Sequence, residues 1–249
     1  MAVSPVDDSL KVWQLSDDPE RADMKIVAFV PARIGSKGLK EKNLREINGK
    51  PLVAWSLEAA LAAPSVNRVI LSTDNQRIAE IGEAYGVSVP ELRPDHLATD
   101  EATTESAMLH AMEAWCQDES FDAMVLLQPT SPLRMPGAVE AAINQFDAGG
   151  FDSLVSVCES HAFFWQNVNE PKASYDYISR PRRQDISDAD RLYRENGSIY
   201  ITRCALLKKS ECRLGGRITL FKMASSESVE IDDETDFKVV EMLMRETGR

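Results

Sequence analysis

Histidine and cysteine are scarce in this chain, which has only three His and four Cys. The cysteines form no CxxC pair and no Cys–His spacing of the zinc type, so a structural zinc site is excluded and reduced thiols are expected. Long apolar runs are also lacking, and the first residues do not combine a basic start with an apolar stretch. We therefore expect no membrane partner and predict a cytoplasmic protein.

Positive charge is in deficit, because 28 Lys and Arg face 40 Asp and Glu and the formal net charge is -12. Nonspecific binding to nucleic acid or to an anionic membrane requires a surplus of Lys and Arg that neutralises phosphates. Both partners are therefore excluded. Any phosphate-binding site in this chain must be a local concentration of cations.

The chain of 249 residues is long enough for one large α/β domain, which we predict at 25–249. Residues 1–24 are rich in Asp and Glu and show little periodicity, which indicates a loose N-terminal leader. An aromatic, polar and charged segment at about 159–195 interrupts the regular pattern. Segments of this length without clear elements are usually functional or pack against another chain, so we predict an excursion from the domain there.

Short apolar runs alternate with stretches of helical periodicity along most of the chain. The runs predict buried strands at 26–30, 69–71, 124–127 and 154–157, with further strands at 198–202 and 218–223. The periodic stretches predict helices at 51–62, 75–85, 103–116, 136–146 and 235–246. This alternation predicts an α/β fold with a doubly wound sheet.

A cationic loop follows directly after the first predicted strand, and residues 31–50 contain six Lys and Arg against two Glu. Gly35 and Gly38 allow tight turns that expose backbone amides to an anion. The loop lies where ligands of open α/β sheets bind, outside the carboxyl end of a strand. It matches neither the P-loop nor the GxGxxG fingerprint. These features alone predict phosphate binding, with Lys42 the leading candidate, and a solvated basic loop is the alternative.

Several motifs then occur in order: PARIGSKGLKEKNL, NGKPLVAWSLEAA, STDN, LRPDHLATDEATTES, LLQPTSPLR, ENGSIYIT and VEIDDETDF. Together, over about 25–244, they resemble the acylneuraminate cytidylyltransferase family, the CMP-sialic acid synthetases. The resemblance implies a Rossmann-like nucleotidyltransferase sheet. It also implies transfer of CMP from CTP to the anomeric hydroxyl of a nine-carbon 3-deoxy-ulosonic acid, such as sialic acid, with release of pyrophosphate.

The resemblance assigns a nucleotide site. The triphosphate would be held by matching positions of the first motif: Arg33, Ser36, Lys37, Lys42 and Asn43. Of these, Lys42, Arg33 and Lys37 would be catalytic, because fixed cations stabilise the charge that develops when the α-phosphate is attacked. Arg93 and Thr104 match the segment that holds cytosine and ribose, and Thr104 stands where a Ser is common.

The resemblance assigns the acidic sugar to four further residues: Gln128, Arg182, Arg194 and Tyr200. Gln128 ends a predicted strand, and its amide can both donate and accept toward a sugar. Arg183 directly follows Arg182 and leaves that match ambiguous. Tyr200 lies in a predicted strand, where tyrosine side chains often simply pack.

Glu230 and Asp232 are predicted to bind a divalent cation, Mg²⁺ or Mn²⁺. In an extended segment residues two apart face the same side, so both carboxylates can reach one hard cation. The family usually has Asp-x-Asp here, and Glu230 departs from it by one methylene. Asp233 and Asp236 are predicted to cap the closing helix instead. A second DxD at 188–190 follows no strand and is not predicted to bind metal.

The aromatic residues 163–165 resemble the family's dimerisation segment, so a homodimer held by a small dimerisation excursion is expected. Three alternatives stay open. An eight-carbon ulosonate cytidylyltransferase usually has a shorter first motif without the Lys42–Asn43 ending. A metal-dependent glycosyltransferase that uses a nucleotide sugar gives no reason for the triphosphate loop. A nucleotide-sensing domain would bind CTP without turnover.

Overall fold

The structure is a computed structural model that describes residues 24–35, 38–117 and 119–248. The predicted leader lies outside the described residues except for Met24. The strands are β1 (Ile26–Pro31), β2 (Glu46–Ile47), β3 (Lys50–Pro51), β4 (Arg68–Ser72), β5 (Ala123–Leu127), β6 (Ser153–Ser160), β7 (Trp165–Gln166), β8 (Lys172–Ala173), β9 (Leu192–Arg203) and β10 (Ile218–Lys222). The helices are α1 (Leu52–Leu61), α2 (Gln76–Ala84), α3 (Thr104–Ala114), α4 (Ala138–Ala148), α5 (Cys204–Ser210) and α6 (Glu234–Glu246).

Six strands form one mixed sheet in the order β10-β6-β9-β5-β1-β4. β1 pairs in parallel with β4 and with β5, and β10 pairs in parallel with β6. β9 is antiparallel to both of its neighbours, β5 and β6. The predicted α/β fold with a doubly wound sheet is therefore confirmed, with one antiparallel strand at its centre.

Helices cover both faces of the sheet, which explains why β1 and β5 are continuous apolar runs. Alternate residues of β1 serve the two faces: Ala28 and Val30 pack with α1, α2 and α4, whereas Val27 and Phe29 pack with α3 and α5. A strand covered on both sides needs apolar residues at every position. None of the helices in the described chain is long and apolar enough to cross a membrane.

The carboxyl edge of the parallel strands brings several loops together. β1, β4 and β5 end at this edge with Pro31, Ser72 and Leu127. Because β9 runs in the opposite direction, its first half lies at the same edge, and Leu127 pairs with Ile199. The cationic loop after β1 (33–43), here called the phosphate loop, therefore lies next to the loop after β5 and to the start of β9.

The main differences from the predicted elements concern β6 and β9. Both strands are longer than predicted, because a bulge between Val155 and Val157 shifts the register and lets residues 157–160 pair with 192–195. The start of β9 is exposed and charged, so it has no apolar signal. The extended pairing leaves 161–191 as the connection, which contains the β7–β8 hairpin. Helix α5 was also missed.

Candidate functional site

A cleft of about 280 Å³ opens at the carboxyl edge of the sheet. Its walls come from the phosphate loop, the segment between α2 and α3, the start of α3 and the loop after β5. Six residues predicted from the sequence line it: Arg33, Lys42, Asn43, Arg93, Thr104 and Gln128. The structure thus gathers nucleotide-binding and sugar-binding candidates from distant parts of the chain in one place.

The phosphate loop is closed by its own hydrogen bonds. The side-chain amide of Asn43 donates to the carbonyl of Arg33 at 2.8 Å, which joins the start of the loop to its end. The guanidinium of Arg33 donates to a carboxylate oxygen of Asp100 at 2.7 Å. Ser36 and Lys37 lie outside the described residues, so their predicted roles stay predictions. The described part of the loop presents Arg33 and Lys42 to the same cleft.

Lys42 is largely buried, with 9% of its surface exposed, and begins a short 3₁₀ turn. Its ammonium donates to the carbonyl of Ile231 at 2.6 Å and lies 3.7 Å from Oδ1 of Asp232. Burial lowers the pKa of Lys42, and the nearby carboxylate of Asp232 opposes that shift. The ammonium is thus fixed between the phosphate loop and the carboxylate segment 230–232.

The carboxylate segment 230–232 packs closely against the phosphate loop. A Cβ added to Gly38 would collide with the carbonyl oxygen of Asp232, so only glycine allows this approach. The amide of Ile231 donates to the carbonyl of Thr130 at 2.8 Å, which ties the segment to the loop after β5 as well. Burial, and then the charge of Asp232, raise the pKa of Glu230. Two crowded carboxylates of this kind favour a bound cation.

The predicted cap of the closing helix is confirmed. Asp233 is the N-cap of α6 and accepts from the amides of Thr235 and Asp236, while Asp236 accepts from the amide of Asp233. Asp236 also accepts from the amide of Asp232 at 2.9 Å. These caps hold the end of the carboxylate segment and leave the side chain of Asp232 exposed.

Arg93 and the start of α3 form another wall of the cleft. Arg93 is buried, and its guanidinium donates to the hydroxyl of Ser72 at 2.9 Å and to the carbonyl of Ser72 at 2.6 Å. Burial lowers its pKa to about 10. Thr103 caps α3 by accepting from the amide of Ser106 at 3.0 Å, and Thr104 is the first helical residue. The positive end of the α3 dipole therefore faces the cleft.

Of the predicted sugar-binding residues, Gln128 and Arg194 lie close to Glu230. A Cβ added to Gly197 would collide with Oε2 of Glu230 and lie 3.0 Å from Oε1 of Gln128, so Gly197 separates these two side chains. Arg194 donates to the carbonyl of Ser228 at 3.0 Å and lies 3.8 Å from Oε1 of Glu230. The structure therefore places an amide and a carboxylate beside one glycine, and a guanidinium beside that carboxylate.

Tyr200 and Arg182 are placed differently. Tyr200 is buried under the guanidinium of Arg213, and its hydroxyl donates to Glu195 at 3.0 Å. Its pKa is raised by burial. Arg182 is exposed in the connection between β6 and β9, where it donates to Asp185 at 2.6 Å. Neither residue lines the cleft, so their sugar contacts stay predictions.

The carboxylate pair was also compared with metal-ligand clusters elsewhere in the part of the chain that the structure describes. No group of three or more His, Cys, Asp and Glu side chains is arranged to hold a metal there. Mg²⁺ usually takes only one or two carboxylates together with waters and substrate phosphates, so the pair of Glu230 and Asp232 is a suitable donor set. In the second DxD, Asp188 instead pairs with Arg191 at 2.8 Å on the surface.

Comparison with protein families matches residues 27–246 to a model described as cytidylyltransferase. The chain belongs to the cytidylyltransferase family. It is therefore a nucleotidyltransferase, and the family resemblance found in the sequence is confirmed. The match covers every element of the sheet except the first residue of β1.

Individual relatives carry the names of different activities. The chain is 35% identical over 228 residues to the CMP-N,N'-diacetyllegionaminic acid synthase of Legionella pneumophila, covering 89% of this chain and 97% of the relative. It is 32% identical to the N-acylneuraminate cytidylyltransferase of Escherichia coli, covering 90% of this chain and only 53% of that enzyme. The chain therefore spans about half the length of this second relative.

The fold is shared with a more distant cytidylyltransferase of known structure. The CMP:2-keto-3-deoxy-manno-octonic acid synthetase, solved in complex with CTP, superposes with a TM-score of 0.68 at 23% identity, covering 90% of this chain and 99% of that chain. At this identity the likeness establishes the Rossmann-like fold and does not distinguish substrates.

Sequence reasoning missed the groups that hold the site together. Arg134 was given no role, yet it is buried in the loop after β5 and its guanidinium donates to the carbonyl of Gln128. Asn196 is fully buried and donates to the hydroxyl of Ser228 at 2.8 Å. Both residues stand inside quoted motifs, Arg134 at the end of LLQPTSPLR and Asn196 in ENGSIYIT, but neither residue type indicates burial by itself.

Proposed function

We propose that this enzyme transfers CMP from CTP to the anomeric hydroxyl of a nine-carbon 3-deoxy-ulosonic acid, sialic acid or a relative, and releases pyrophosphate. The observation that carries the proposal is the position of Lys42, bound to the backbone between Glu230 and Asp232 at the cleft that Gln128 also lines. The names of the relatives from Legionella and Escherichia coli indicate acceptor sugars of this class, which supports the choice of acceptor.

In this proposal the cleft orders the two substrates along the carboxyl edge. Arg33 and Lys42 hold the triphosphate, while Arg93 and the start of α3 hold the nucleoside. The sugar enters on the side of Gln128 and Arg194. Its anomeric hydroxyl attacks the α-phosphate in line, and Lys42 stabilises the negative charge that builds up on the phosphate oxygens.

Glu230 and Asp232 would hold a divalent cation, Mg²⁺ or Mn²⁺, which neutralises phosphate charge when bound. To test this, Asp232→Asn is compared with Asp188→Asn, which changes an Asp of the surface DxD paired with Arg191. We expect Asp232→Asn to require a higher Mg²⁺ concentration for half-maximal turnover and to bind Mn²⁺ more weakly by calorimetry. Equal metal affinities in the two variants would refute the assignment.

Acceptor identity is tested by measuring pyrophosphate release from CTP with a panel of acidic sugars. The panel contains N-acetylneuraminic acid, its deaminated analogue, legionaminic and pseudaminic acids and the eight-carbon 3-deoxy-manno-octulosonic acid. We expect a nine-carbon sugar to give the highest kcat/KM. Preference for the eight-carbon acid would refute the proposal and favour the main alternative, and CTP binding without turnover would favour a nucleotide sensor.

We also propose that the connection 161–191 contacts a second copy of the chain. It exposes several large apolar side chains: Phe164, Trp165, Val168, Tyr177 and Ile178. Apolar clusters of this kind usually lie at interfaces. Light scattering should give the mass of a dimer for the wild type and that of a monomer for Trp165→Asp. A monomeric wild type at assay concentration would refute this part.

A further inference from the structure

Arg134 is a charged residue in the interior, with only 6% of its surface exposed. It lies in the loop between β5 and α4, seven residues beyond the end of β5. Burial lowers the pKa of its guanidinium to about 9. Removing a charge from water costs several kcal/mol, so stability alone would favour an apolar side chain here. An arginine at such a place is better explained by the geometry that it imposes on its acceptors.

Among the described residues the guanidinium donates to three acceptors, one directly after β5, one in β9 and one in α1. Nη2 donates to the carbonyl of Gln128 at 2.7 Å and to the carbonyl of Ser198 at 2.7 Å, and Nε donates to the same Ser198 carbonyl at 3.1 Å. Nη1 donates to the hydroxyl of Ser56 in α1 at 3.0 Å. The planar guanidinium of an Arg can donate in several fixed directions at once, which the single ammonium group of a Lys cannot reproduce.

These acceptors lie where β5 and β9 separate. The last pair of the β5–β9 ladder is Leu127 with Ile199, and Gln128 and Ser198 would form the next pair. Their carbonyls bind Arg134 instead. The hydroxyl of Ser56 also donates to the carbonyl of Gln128 at 3.3 Å, which completes a small network. Arg134 therefore sets the distance between the two strands at the mouth of the cleft.

Beyond this point the two strands carry the acceptor side of the site. Gln128 lines the cleft, and Gly197 lies between the side chains of Gln128 and Glu230. On the nucleotide side, Arg93 is instead bound to Ser72 at the end of β4. A change at Arg134 would therefore move Gln128 relative to Gly197 and leave the nucleotide wall in place.

We propose that Arg134 is a positioning residue for the acceptor sugar: it acts through the backbone of Gln128 and Ser198 and fixes the opening in which the sugar is held. This inference rests on the proposed function. A positioning residue differs from one that only stabilises the fold, because substitution of Arg134 should raise the KM for the sugar and leave the KM for CTP unchanged.

The test measures steady-state kinetics with CTP and the best acceptor for the wild type, Arg134→Lys and Ser56→Ala. Ser56→Ala removes one member of the same network at a much smaller cost to folding. The matched control is Arg203→Lys at the far end of β9, where Arg203 pairs with Ala123 and donates to the carbonyl of Phe151 at 3.1 Å.

We expect the KM for the sugar to rise about tenfold or more in Arg134→Lys, since small misplacements of binding groups cost this much. Ser56→Ala should show a smaller rise in the same direction. The KM for CTP should stay within about twofold of the wild type in both variants, and Arg203→Lys should change neither KM. If Arg134→Lys does not fold, the sugar KM of Ser56→Ala decides.

Unchanged sugar KM values in both network variants would overturn the inference, as would equal increases in the KM values for both substrates. A fall in the amount of active enzyme with unaltered KM values would mean that Arg134 only stabilises the fold, which also overturns it. If the wild type releases no pyrophosphate with any sugar of the panel, the proposed function fails and this inference fails with it. The two failures are therefore distinguishable.

Discussion

Replacing Lys42 by Met removes the ammonium while keeping a side chain of similar length. The hydrogen bond to the carbonyl of Ile231 and the attraction to Asp232 at 3.7 Å are lost. A hydrogen bond from a charged donor contributes about 1.5–3 kcal/mol to folding. The cost of burying the ammonium disappears at the same time, so the net loss of stability should be small. Lys42→Met should therefore fold.

The catalytic effect should be much larger than the effect on stability. Removing one preorganised group that stabilises developing charge lowers kcat by about 10²–10³, or about 2.7–4 kcal/mol. Pyrophosphate release with CTP and the best sugar should fall by this factor. The matched control is Lys40→Met, which removes a cation of the same loop that is exposed to solvent. Loss of less than about tenfold in Lys42→Met, or an equal loss in the control, would refute the role of Lys42.

The pH dependence provides a second readout for Lys42. The ammonium is the active form, and burial lowers its pKa below the ordinary value of 10.5. Turnover of the wild type should therefore fall as pH rises through this lowered pKa, and the residual activity of Lys42→Met should lack that decline. Since folding lowers the pKa, the unfolded chain binds more protons between the two values, so the wild type should gain stability relative to Lys42→Met as pH rises toward 10.5.

Two further predictions concern Gly197 and Glu159. Gly197→Ala and Gly216→Ala both place a side chain at a φ near +60° and against a carboxylate, so both should destabilise by about 1–3 kcal/mol. Only the Gly197 variant should also lose sugar turnover, measured as kcat/KM. Hydrogen bonding from Lys222 at 2.7 Å lowers the pKa of Glu159, so its stabilising effect should exist above the ordinary value of 4.5 and vanish as pH falls through the lowered pKa. Thermal unfolding of Glu159→Gln and wild type should therefore differ at pH 7 and converge in acid, and a persistent difference would contradict this.

Much of the fold could be predicted because strands covered on both faces are uniformly apolar. The run at 26–30 is an example, and its neighbours 69–71 and 124–127 were located within one residue at each end. The position of the phosphate loop could be predicted because the loops that follow parallel strands meet at one edge of the sheet. Lys42 and Gln128 were thereby expected to lie at one cleft, and they do.

The parts that escaped prediction depend on contacts between distant residues. The start of β9 is charged and exposed, and it becomes a strand only because the bulge in β6 shifts residues 157–160 into register with it. Tyr200 packs in the interior with the guanidinium of Arg213 over its ring, and Arg213 lies in a segment that carries no motif. Arg134 binds carbonyls, and backbone acceptors leave no trace in an amino-acid sequence.

This chain has Glu230 where the family usually has Asp, and the neighbours of Glu230 explain how the longer side chain fits. A side chain one methylene longer than Asp needs space, and the lack of a Cβ at Gly197 provides it, because any side chain there would collide with Glu230. The segment 230–232 cannot move back to make room. The carbonyl of Ile231 accepts from Lys42 in the phosphate loop, and its amide donates to Thr130 in the loop after β5. The carboxylate of Glu230 is therefore held over Gly197 by the same backbone that positions Lys42, so the acceptor and phosphate sides of the cleft are coupled through one residue.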